Sequence, residues 1–365
     1  MARKPRKVTI DPKVVQVVHI WNRCIRAMQL CGKDPLTGVD REHRRSWSRD
    51  RLEHLAMVYA IEILTYAIMH NHTHLVVRSR PDIASRWSPD EVARRWLMIT
   101  PKRDRSGKII EPSAKRIQAI VNNPELIDKI RVQLSDVSWM MRSYAQHIAS
   151  RANYEDQKKG HFWEERFKSH VLLDQASILK CMLYVDLNPI RANIARSIEQ
   201  SDFTGAKDRL DDLRIHIATQ ANNRIVLQLE SGSEMARWER MDHSCSGWLS
   251  PIEIDAHVRE SACESDGMQN ESPPKPRRVS QRGAVRISLT KYLLLLDLAG
   301  RQQRVGGSGF IPDDALPILQ QLGLEPTGFF ESIWMFGQRF KSTKRRRFSE
   351  PLGMRECDNP AYVAS

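Results

Sequence analysis

The chain has 365 residues, and its 57 Lys and Arg against 44 Asp and Glu give a net charge of +13 and an isoelectric point near 9.6. This surplus favours a polyanionic partner such as nucleic acid, and the length allows two modest domains or one domain with appendages. No apolar run is long enough to cross a bilayer and no signal peptide is apparent, while six scattered cysteines without CxxC spacing indicate free thiols in a reducing cytoplasm.

The first part of the chain predicts a strand, a loop and a helix. Residues 1–10 form a basic arm. The β-branched run 14–21 predicts a strand buried on both faces. Residues 22–45 are polar and marked by Gly and Pro, so a loop is expected, and apolar residues at helical spacing predict an amphipathic helix over 46–56.

The next stretch places three histidines within five residues. The segment 66–77 reads as two strands, and His70, His72 and His74 lie around the polar break between them. Alternate side chains of a strand share a face, so His72 and His74 point the same way and Thr73 points oppositely. Two imidazoles on one strand face are half of a divalent-metal site, although a solvated polar hairpin is the simpler alternative.

The middle of the chain is predicted to be largely helical. Ser88 is placed to cap a helix that runs to about Met98, and residues 100–113 form a charged insertion. A long helical segment is predicted over 114–154. Its apolar stripe indicates core packing: Val137, Trp139, Met140, Tyr144, Ile148 and Ala152.

A period-two pattern over residues 161–171 predicts a further strand with two different faces. One face is apolar, and the other carries Arg166, Lys168 and His170, which either contact a phosphate backbone or are simply solvated. Asp174 then caps a predicted helix from Gln175 to about Leu187, with Tyr184 near its end. A helix stop follows at Asn188-Pro189.

The composition changes after about residue 210, which divides the chain into predicted parts. Residues 229–283 are rich in Ser, Glu, Pro and Arg, as in a partly disordered linker. Two later helical patterns suggest a small accessory module. The predicted parts are a basic arm (1–10), a main domain (11–210), a linker (211–283), a helical module (284–347) and a tail (348–365).

Three segments together resemble a known family. They are 69–76 around the His-x-His, 160–169 (Gly-His-Phe-Trp-Glu-Glu-Arg-Phe-Lys-Ser) and 184–192 (Tyr-Val-Asp-Leu-Asn-Pro-Ile-Arg-Ala). In this order they resemble the REP-associated tyrosine transposases, which are single-tyrosine HUH transposases. The resemblance covers about residues 10–210 and implies an α+β fold with a ferredoxin/RRM-like antiparallel sheet and packed helices.

The resemblance assigns roles to four residues. His72 and His74 match the two histidines of the HUH motif, Tyr184 matches the nucleophile, and Asn188 matches the polar third ligand. Thr73 departs from the usual apolar middle position. His70 stands where the family commonly has proline, so it is an additional histidine without an assigned role.

These roles imply a metal-dependent endonuclease and strand transferase acting on single-stranded DNA that carries palindromic hairpins. A divalent ion, Mg²⁺ or Mn²⁺, would be held by His72, His74 and Asn188, and attack by Tyr184 would leave a 5′-phosphotyrosine. Arg166, Lys168, His170 and Arg191 are candidate DNA contacts, and the protein is expected to be cytoplasmic and nucleoid-associated. The oligomeric state, monomer or homodimer, stays open.

Two other functions compete with this interpretation. One is a non-catalytic, domesticated nucleic-acid-binding protein of the same fold, and the complete set of four site residues argues against it. The other is a zinc hydrolase using His-x-His, which needs further downstream ligands that this order of elements does not provide. Tyr144 and Tyr154, on the preceding long helix, are the alternative candidate nucleophiles.

Overall fold

The computed structural model describes residues 10–25, 29–34, 37–226, 246–253, 278–303 and 309–318. All of them belong to one compact unit, Met1–Leu322. Within these ranges, no helix has the length and apolar character that crossing a bilayer requires.

Four strands form an antiparallel sheet in the order β2-β3-β1-β6, and two short strands form a separate hairpin. Together with the helices below, this confirms the predicted α+β class. The strands are β1 (Val17–Arg23), β2 (Ile61–Ile68), β3 (His72–Ser79), β4 (Lys102–Arg103), β5 (Ile109–Ile110) and β6 (Lys168–Leu172).

The sheet has a buried face and a more open face. Val18 of β1 is fully buried, whereas the neighbouring His19 and Trp21 point to the open face and are half-buried. Directly paired residues share a face, and His74 of β3 pairs with Trp21, while His170 of β6 pairs with His19. We call the face that carries His19, Trp21, His74 and His170 the site face.

The first strand is shorter and less enclosed than its sequence predicts. It begins at Val17, and Val14 and Val15 lie before it with 49% and 39% of their surfaces exposed. Within β1, fully buried side chains alternate with half-buried ones. The prediction of a strand buried on both faces was wrong, because the site face is only partly covered.

The helices agree with the predicted caps and differ from the prediction in one long segment. Ser88 accepts a hydrogen bond from the Glu91 N–H and caps a helix, and Asp174 caps another through the Ser177 N–H, as predicted. The helices are α1 (Arg44–Val58), α2 (Pro81–Ala84), α3 (Pro89–Met98), α4 (Ala114–Val121), α5 (Pro124–Ser135), α6 (Val137–Glu155), α7 (Gln175–Asp186), α8 (Asn188–Arg191), α9 (Gly205–Val226) and α10 (Leu289–Arg301).

The segment 114–154 is three helices rather than one. Asn123 caps α5 through the Leu126 N–H, with Pro124 in the first helical position, and Asp136 caps α6 through the Ser138 N–H. A side-chain oxygen that caps a new helix competes with continuation of the preceding one. The apolar periodicity continued across these breaks, which is why it predicted a single helix.

Helices α1 and α6 cover the face of the sheet opposite the site face. Leu52 and Leu55 of α1 and Tyr144 and Ile148 of α6 are completely buried in the resulting core. The Tyr144 hydroxyl lies beside Thr73, the residue between His72 and His74 that points away from the site face. The predicted core stripe of α6 is confirmed, with Trp139 only partly buried.

Helix α7 packs on the site face and is fixed there by a buried carboxylate. Asp186, its last residue, accepts hydrogen bonds from Thr65 Oγ1 of β2 (2.6 Å), the Ala206 N–H (3.1 Å) and the Tyr292 hydroxyl of α10. Burial raises the pKa of Asp186, and these donors act in the opposite direction. The carboxylate therefore connects α7 to the sheet and to the C-terminal part of the chain.

The described C-terminal residues pack against the sheet as well. The predicted boundary at residue 210 falls inside α9, and in the predicted linker the Ser250 N–H donates to Ile63 O of β2 at 2.9 Å. The second helical pattern of the predicted module, residues 329–340, and the basic arm, residues 1–9, lie outside the described residues. The division of the chain into separate parts stays a prediction.

The described cysteines are free thiols. Cys24 and Cys31 are buried, and Cys181 is partly buried. Cys245, Cys263 and Cys357 lie outside the described residues. The expectation of free thiols is confirmed for the first three.

The Tyr292→Phe variant is expected to be less stable than the wild type by about 1–3 kcal/mol, because it removes one donor from a fully buried carboxylate. The measurement is the free energy of unfolding from urea titration of the full chain. The matched control is Tyr154→Phe, since Tyr154 is 88% exposed and its hydroxyl supports no buried group. Equal stabilities of the two variants would contradict the role given to Asp186.

Candidate active site

The two histidines of the His-x-His motif are positioned by the β2–β3 hairpin. The Met69 N–H donates to His72 O at 2.9 Å and closes the turn. Backbone carbonyls at its tip accept from the preceding loop, with Cys24 N–H to Asn71 O at 2.8 Å and Leu30 N–H to His70 O at 2.8 Å. Backbone bonds on both sides of the turn therefore hold His72 and His74 at the end of β3.

Four rings meet on the site face. The His74 ring centroid lies 5.0 Å from that of His72 and 5.3 Å from that of His19. Tyr184 of α7 meets two of these rings edge-on, at 5.7 Å from His74 and 6.0 Å from His19. The predicted nucleophile and the predicted metal-ligand histidines are thus brought together by different elements of the fold.

His19 is a site residue that sequence reasoning missed. It lies two residues before Trp21 in β1, and its Nε2 is 3.1 Å from Nδ1 of His74. Its only signal in the sequence is a single imidazole in the otherwise apolar run Val17-Val18-His19-Ile20-Trp21. That signal becomes informative only when the β1–β3 register is known.

Burial keeps the three site histidines neutral. It lowers the pKa of His74 to about 3, with further lowering by the positive charges of His72 and His19 when they are protonated. Burial likewise lowers the pKa of His72 to about 4, aided by Arg23, and that of His19 to about 4, aided by His170. At neutral pH each ring therefore has one nitrogen with a free lone pair.

The hydrogen bonds of these rings decide which nitrogen that is. His72 Nδ1 is 2.7 Å from Asn71 Oδ1, so it donates, and the lone pair lies on Nε2. His74 Nδ1 and His19 Nε2 share one proton. If His74 donates it, Nε2 of His74 carries a lone pair as well, and His19 is the acceptor that stabilises this tautomer.

Asn188 lies one helical turn beyond Tyr184, at the start of α8. Its Nδ2 donates to the Tyr184 carbonyl at 3.0 Å and more weakly to the Val185 carbonyl at 3.4 Å. The amide nitrogen is therefore committed to the end of α7, and Oδ1 is the atom left for another partner. Within the described ranges, Asn188 makes no hydrogen bond to His72 or His74.

The donor set fits a divalent ion chemically. Two neutral imidazoles and one amide oxygen are ligands that Mn²⁺ accepts, and Mg²⁺ accepts them less readily because it prefers oxygen. Among the residues that the structure describes, no group of three or more His, Cys, Asp and Glu side chains is arranged to hold a metal. The third protein ligand of the predicted site would thus have to be Asn188.

The candidate DNA contacts fall into two groups. Lys168 and His170 lie on the site face of β6, beside Trp21 and His19, while Arg166 is exposed just before the strand. Lys168 forms an exposed ion pair with Glu165 at 2.9 Å.

Arg191 is placed differently from the β6 cations. Its guanidinium donates to three carbonyls of the C-terminal segment, those of Ala299, Gln302 and Gly309, at 2.5–3.0 Å. These bonds attach α8 to the last turn of α10 and to the region after it, and a contact between Arg191 and DNA stays a prediction.

An open cleft of about 700 Å³ lies next to the histidines. The β2–β3 hairpin and the loop after α8 form its walls. His70 is one of its lining residues, and the His70 ring also packs against Gly32, where an added Cβ would come within 2.6 Å of the ring. The lining residues are Gln29, Met69, His70, Asn71, His72, Ala192, Asn193 and Ile194.

The three candidate tyrosines differ sharply in exposure. Tyr144 is fully buried, and burial raises its pKa well above the ordinary value of a phenol. Tyr154 is 88% exposed near the end of α6, on the other side of the sheet from the site histidines. Tyr184 is 43% exposed and contacts His74, so it alone of the three combines access with proximity to the site.

The role of His19 is tested by its effect on metal binding. His19→Leu removes the acceptor for His74 and is expected to weaken Mn²⁺ binding by roughly 10–100-fold. His19→Gln keeps an acceptor oxygen and should retain most of the affinity. The measurement is calorimetric titration with Mn²⁺ in the absence of DNA, with His70→Ala as the matched control. Equal affinities of the Leu and Gln variants would contradict the proposed hydrogen bond.

The buried histidines also predict how stability depends on pH. The unfolded chain binds protons below about pH 6.5, whereas His19, His72 and His74 bind them in the folded state only near pH 3–4. The free energy of unfolding of the metal-free protein should therefore fall as the pH drops from 6.5 to 4. His19→Gln should reduce this fall by about 1–3 kcal/mol, and the same change at the exposed His161 should not.

Comparisons with known proteins give little beyond these observations. No protein-family model and no curated protein matches the sequence. Among solved structures, the chain is similar to a REP-associated tyrosine transposase bound to a REP hairpin, with 12% sequence identity and a TM-score of 0.32. The match covers 56% of this chain and 82% of that one. Similarity at this level assigns neither a fold nor a function to the chain.

Proposed function

We propose that the protein is a transposase-like endonuclease that nicks and rejoins single-stranded, hairpin-bearing DNA through a covalent bond to Tyr184. One observation carries the proposal. A half-exposed tyrosine from α7 stands edge-on against His74 and His19, two neutral imidazoles of the central strands. A nucleophile beside groups that can accept a proton or hold a metal is the arrangement required for phosphoryl transfer by a tyrosine.

The proposed reaction conserves the energy of the phosphodiester bond. The Tyr184 oxygen attacks the scissile phosphorus and forms a P–O bond, while the bond from phosphorus to the 3′ oxygen breaks. The leaving 3′ oxygen takes up a proton, and the tyrosine hydroxyl gives one up. A second 3′-hydroxyl can then attack the phosphotyrosine and restore a phosphodiester without ATP.

The site histidines would contribute to this step by holding a metal ion beside Tyr184. A divalent ion, when bound, would neutralise the scissile phosphate and polarise its oxygens. His72 and His74 would hold it through Nε2, Asn188 through Oδ1, and His19 would orient His74. The edge-on packing of Tyr184 against His74 keeps the hydroxyl on the same side of the sheet as those nitrogens.

The surroundings of the site suit a single strand of DNA. Trp21 offers a half-buried indole on the site face for base stacking, and Lys168 pairs with it across the β1–β6 ladder. His170 and Arg166 extend the polar and basic surface along β6. The neighbouring cleft of about 700 Å³ has the volume for an unstacked nucleotide, and the net charge of +13 favours the phosphate backbone.

The chain topology supports a nuclease of the HUH type. The elements β1, α1, β2, β3, α6 and β6 follow one another in the order of a split β-α-β, ferredoxin-like fold. The central strands β1 and β3 provide His19 and His74, and the helix after the last strand of the sheet provides Tyr184. The resemblance to REP-associated tyrosine transposases implies such a sheet with the HUH strand at its centre and the tyrosine helix packed nearby, whereas His19 is an addition to it.

The test is covalent capture of DNA. The wild-type protein, incubated with Mn²⁺ and a hairpin oligonucleotide labelled 3′ of the cut, should form an adduct that survives denaturation. Tyr184→Phe should form none, because it lacks the attacking oxygen, while its DNA affinity should stay within about two-fold of wild type, since the basic side chains remain. Tyr154→Phe is the control and should form the adduct normally.

The other outcomes are equally informative. An adduct that persists in Tyr184→Phe would overturn the assignment of the nucleophile. Specific DNA binding without any adduct, at several sequences and metals, would support the non-catalytic DNA-binding alternative instead. Loss of the adduct in His74→Ala with retained binding would connect the histidine cluster to chemistry rather than to affinity.

A further inference from the structure

A second basic surface begins with the hairpin β4–β5. Lys102, Arg103, Arg105 and Lys108 are all exposed there. The one acid of the turn, Asp104, is used internally, because its Oδ1 accepts from Ser106 and Lys108 at 2.6–2.9 Å. Within the described ranges, none of the four cations forms an ion pair, so the hairpin presents its positive charge to solvent.

The hairpin lies close enough to α1 and α6 for its charge to act on them. Burial lowers the pKa of His147 to about 4, and Arg51, Arg151 and Arg103 lower it further. Burial also lowers the pKa of Arg51 to about 10, with an added effect of Arg103. Three separate elements therefore bring basic side chains together on one surface. We call it the basic face: Lys102, Arg103, Arg105, Lys108, His147 and Arg151, with Arg51 and His54 beneath them.

Part of this charge has a structural explanation. Arg51 donates to Ile99 O at 2.9 Å, and His54 donates to Met98 O at 2.7 Å, so both satisfy carbonyls at the C-terminus of α3. Arg51 is only 8% exposed, and in the described part of the chain it has no carboxylate partner. Capping explains these two residues, but it gives no role to the exposed cations above them.

Acidic neighbours do not neutralise the basic face. Asp50 and Glu155 act on Arg151, yet the pKa of Arg151 remains below its usual value because burial and Arg103 oppose them. Glu155 is itself bound to Arg44 at 2.6 Å and to His43 at 2.5 Å. The cations of the basic face outnumber these carboxylates and repel one another, and an external anion would relieve that repulsion.

Arg151 is also arranged for a planar or phosphate partner. Its guanidinium stacks 3.7 Å above the Trp47 ring of α1. Stacking fixes the plane of the guanidinium and leaves its N–H groups directed outward at the edges, where they match phosphate oxygens. Arginine at four of the eight positions favours a phosphodiester over a carboxylate surface of a protein partner.

The basic face and Tyr184 lie on opposite sides of the sheet. Tyr144, on α6, packs next to Thr73, whereas Tyr184, on α7, packs against His74. Adjacent residues of a strand point to opposite faces. A short segment of DNA bound at Tyr184 would therefore not touch Arg103 or Arg151 unless the DNA passed round an edge of the sheet.

We propose that the basic face is a second nucleic-acid site, which binds the phosphodiester backbone of a segment other than the one that reaches Tyr184. This inference rests on the nucleic-acid partner proposed above and does not depend on strand cleavage. It assigns the charged insertion 100–113 a function in holding a long or folded strand on the protein while another part of it occupies the site.

The experiment measures binding of a long hairpin-bearing single strand as a function of salt. Arg103→Gln/Arg151→Gln should lower affinity roughly ten-fold at moderate salt and reduce the slope of log affinity against log salt by about 1.5, as expected for two lost phosphate contacts. Arg105→Gln/Lys108→Gln, confined to the exposed hairpin, should act in the same direction. The control is Arg86→Gln/Lys129→Gln, which removes two exposed cations from another surface.

Two comparisons decide the outcome. If the basic-face variants bind with the affinity and slope of the wild type, or lose no more than the control pair, the proposal is wrong. The amount of covalent adduct formed on a short oligonucleotide at saturation should be unchanged in these variants. Loss of the adduct would show that the basic face belongs to the tyrosine site, and the proposal of a separate second site would be wrong. If the wild type forms no adduct at all, the cleavage proposal fails, and the binding comparison still tests the basic face.

Discussion

The register between β1 and β3 is the constraint on which the site depends. Pairing of Trp21 with His74 and of His19 with Val76 places two imidazoles from different strands side by side on one face. A slip of one residue would turn His72 and His74 toward the hydrophobic core and Thr73 toward the site. The register is fixed from the other face, where Val18, Ile20, Leu75 and Val77 are fully or almost fully buried against α1 and α6. Core packing on one face therefore determines ring geometry on the other.

The position of Tyr184 depends on a second buried contact. Asp186 lies two residues further along α7, and its carboxylate is held by Thr65 of β2 and Tyr292 of α10. Because each helix residue is rotated by about 100° from the one before it, holding Asp186 fixes the rotation of α7 about its axis, and with it the direction in which Tyr184 meets His74. A buried carboxylate is costly unless its oxygens are satisfied, so the sheet and the C-terminal segment both contribute to the orientation of Tyr184, the proposed nucleophile. This makes the region around α10 part of the structure that supports the site, although no site residue comes from it.

The sequence predicted much of this, and its failures have physical causes. Capping residues such as Ser88 and Asp174 act locally, so helix starts were predictable, and His72 and His74 share a strand face by simple alternation. His19 was missed because its role depends on pairing with a strand more than fifty residues away. The three helices of 114–154 were merged because apolar periodicity persists across Asn123 and Asp136, where side-chain caps end one helix and begin the next. Local sequence signals thus predicted the helices and strands, whereas the geometry of the site depends on strand pairing between distant parts of the chain.

The neutral histidine rings and the exposed cations occupy different parts of the described structure. At the centre of the site face, burial keeps His72 and His74 neutral, and there the lone pairs needed for a metal or a proton are preserved. A cation at that position would bind phosphate more tightly but could neither hold a metal nor accept a proton. The positive charge instead lies at the rim, along β6, and across the sheet on the hairpin β4–β5 and α6. In the proposed function, cations at the rim would hold the DNA strand while burial keeps the rings neutral, since exposed charge is screened over about 8 Å at physiological salt.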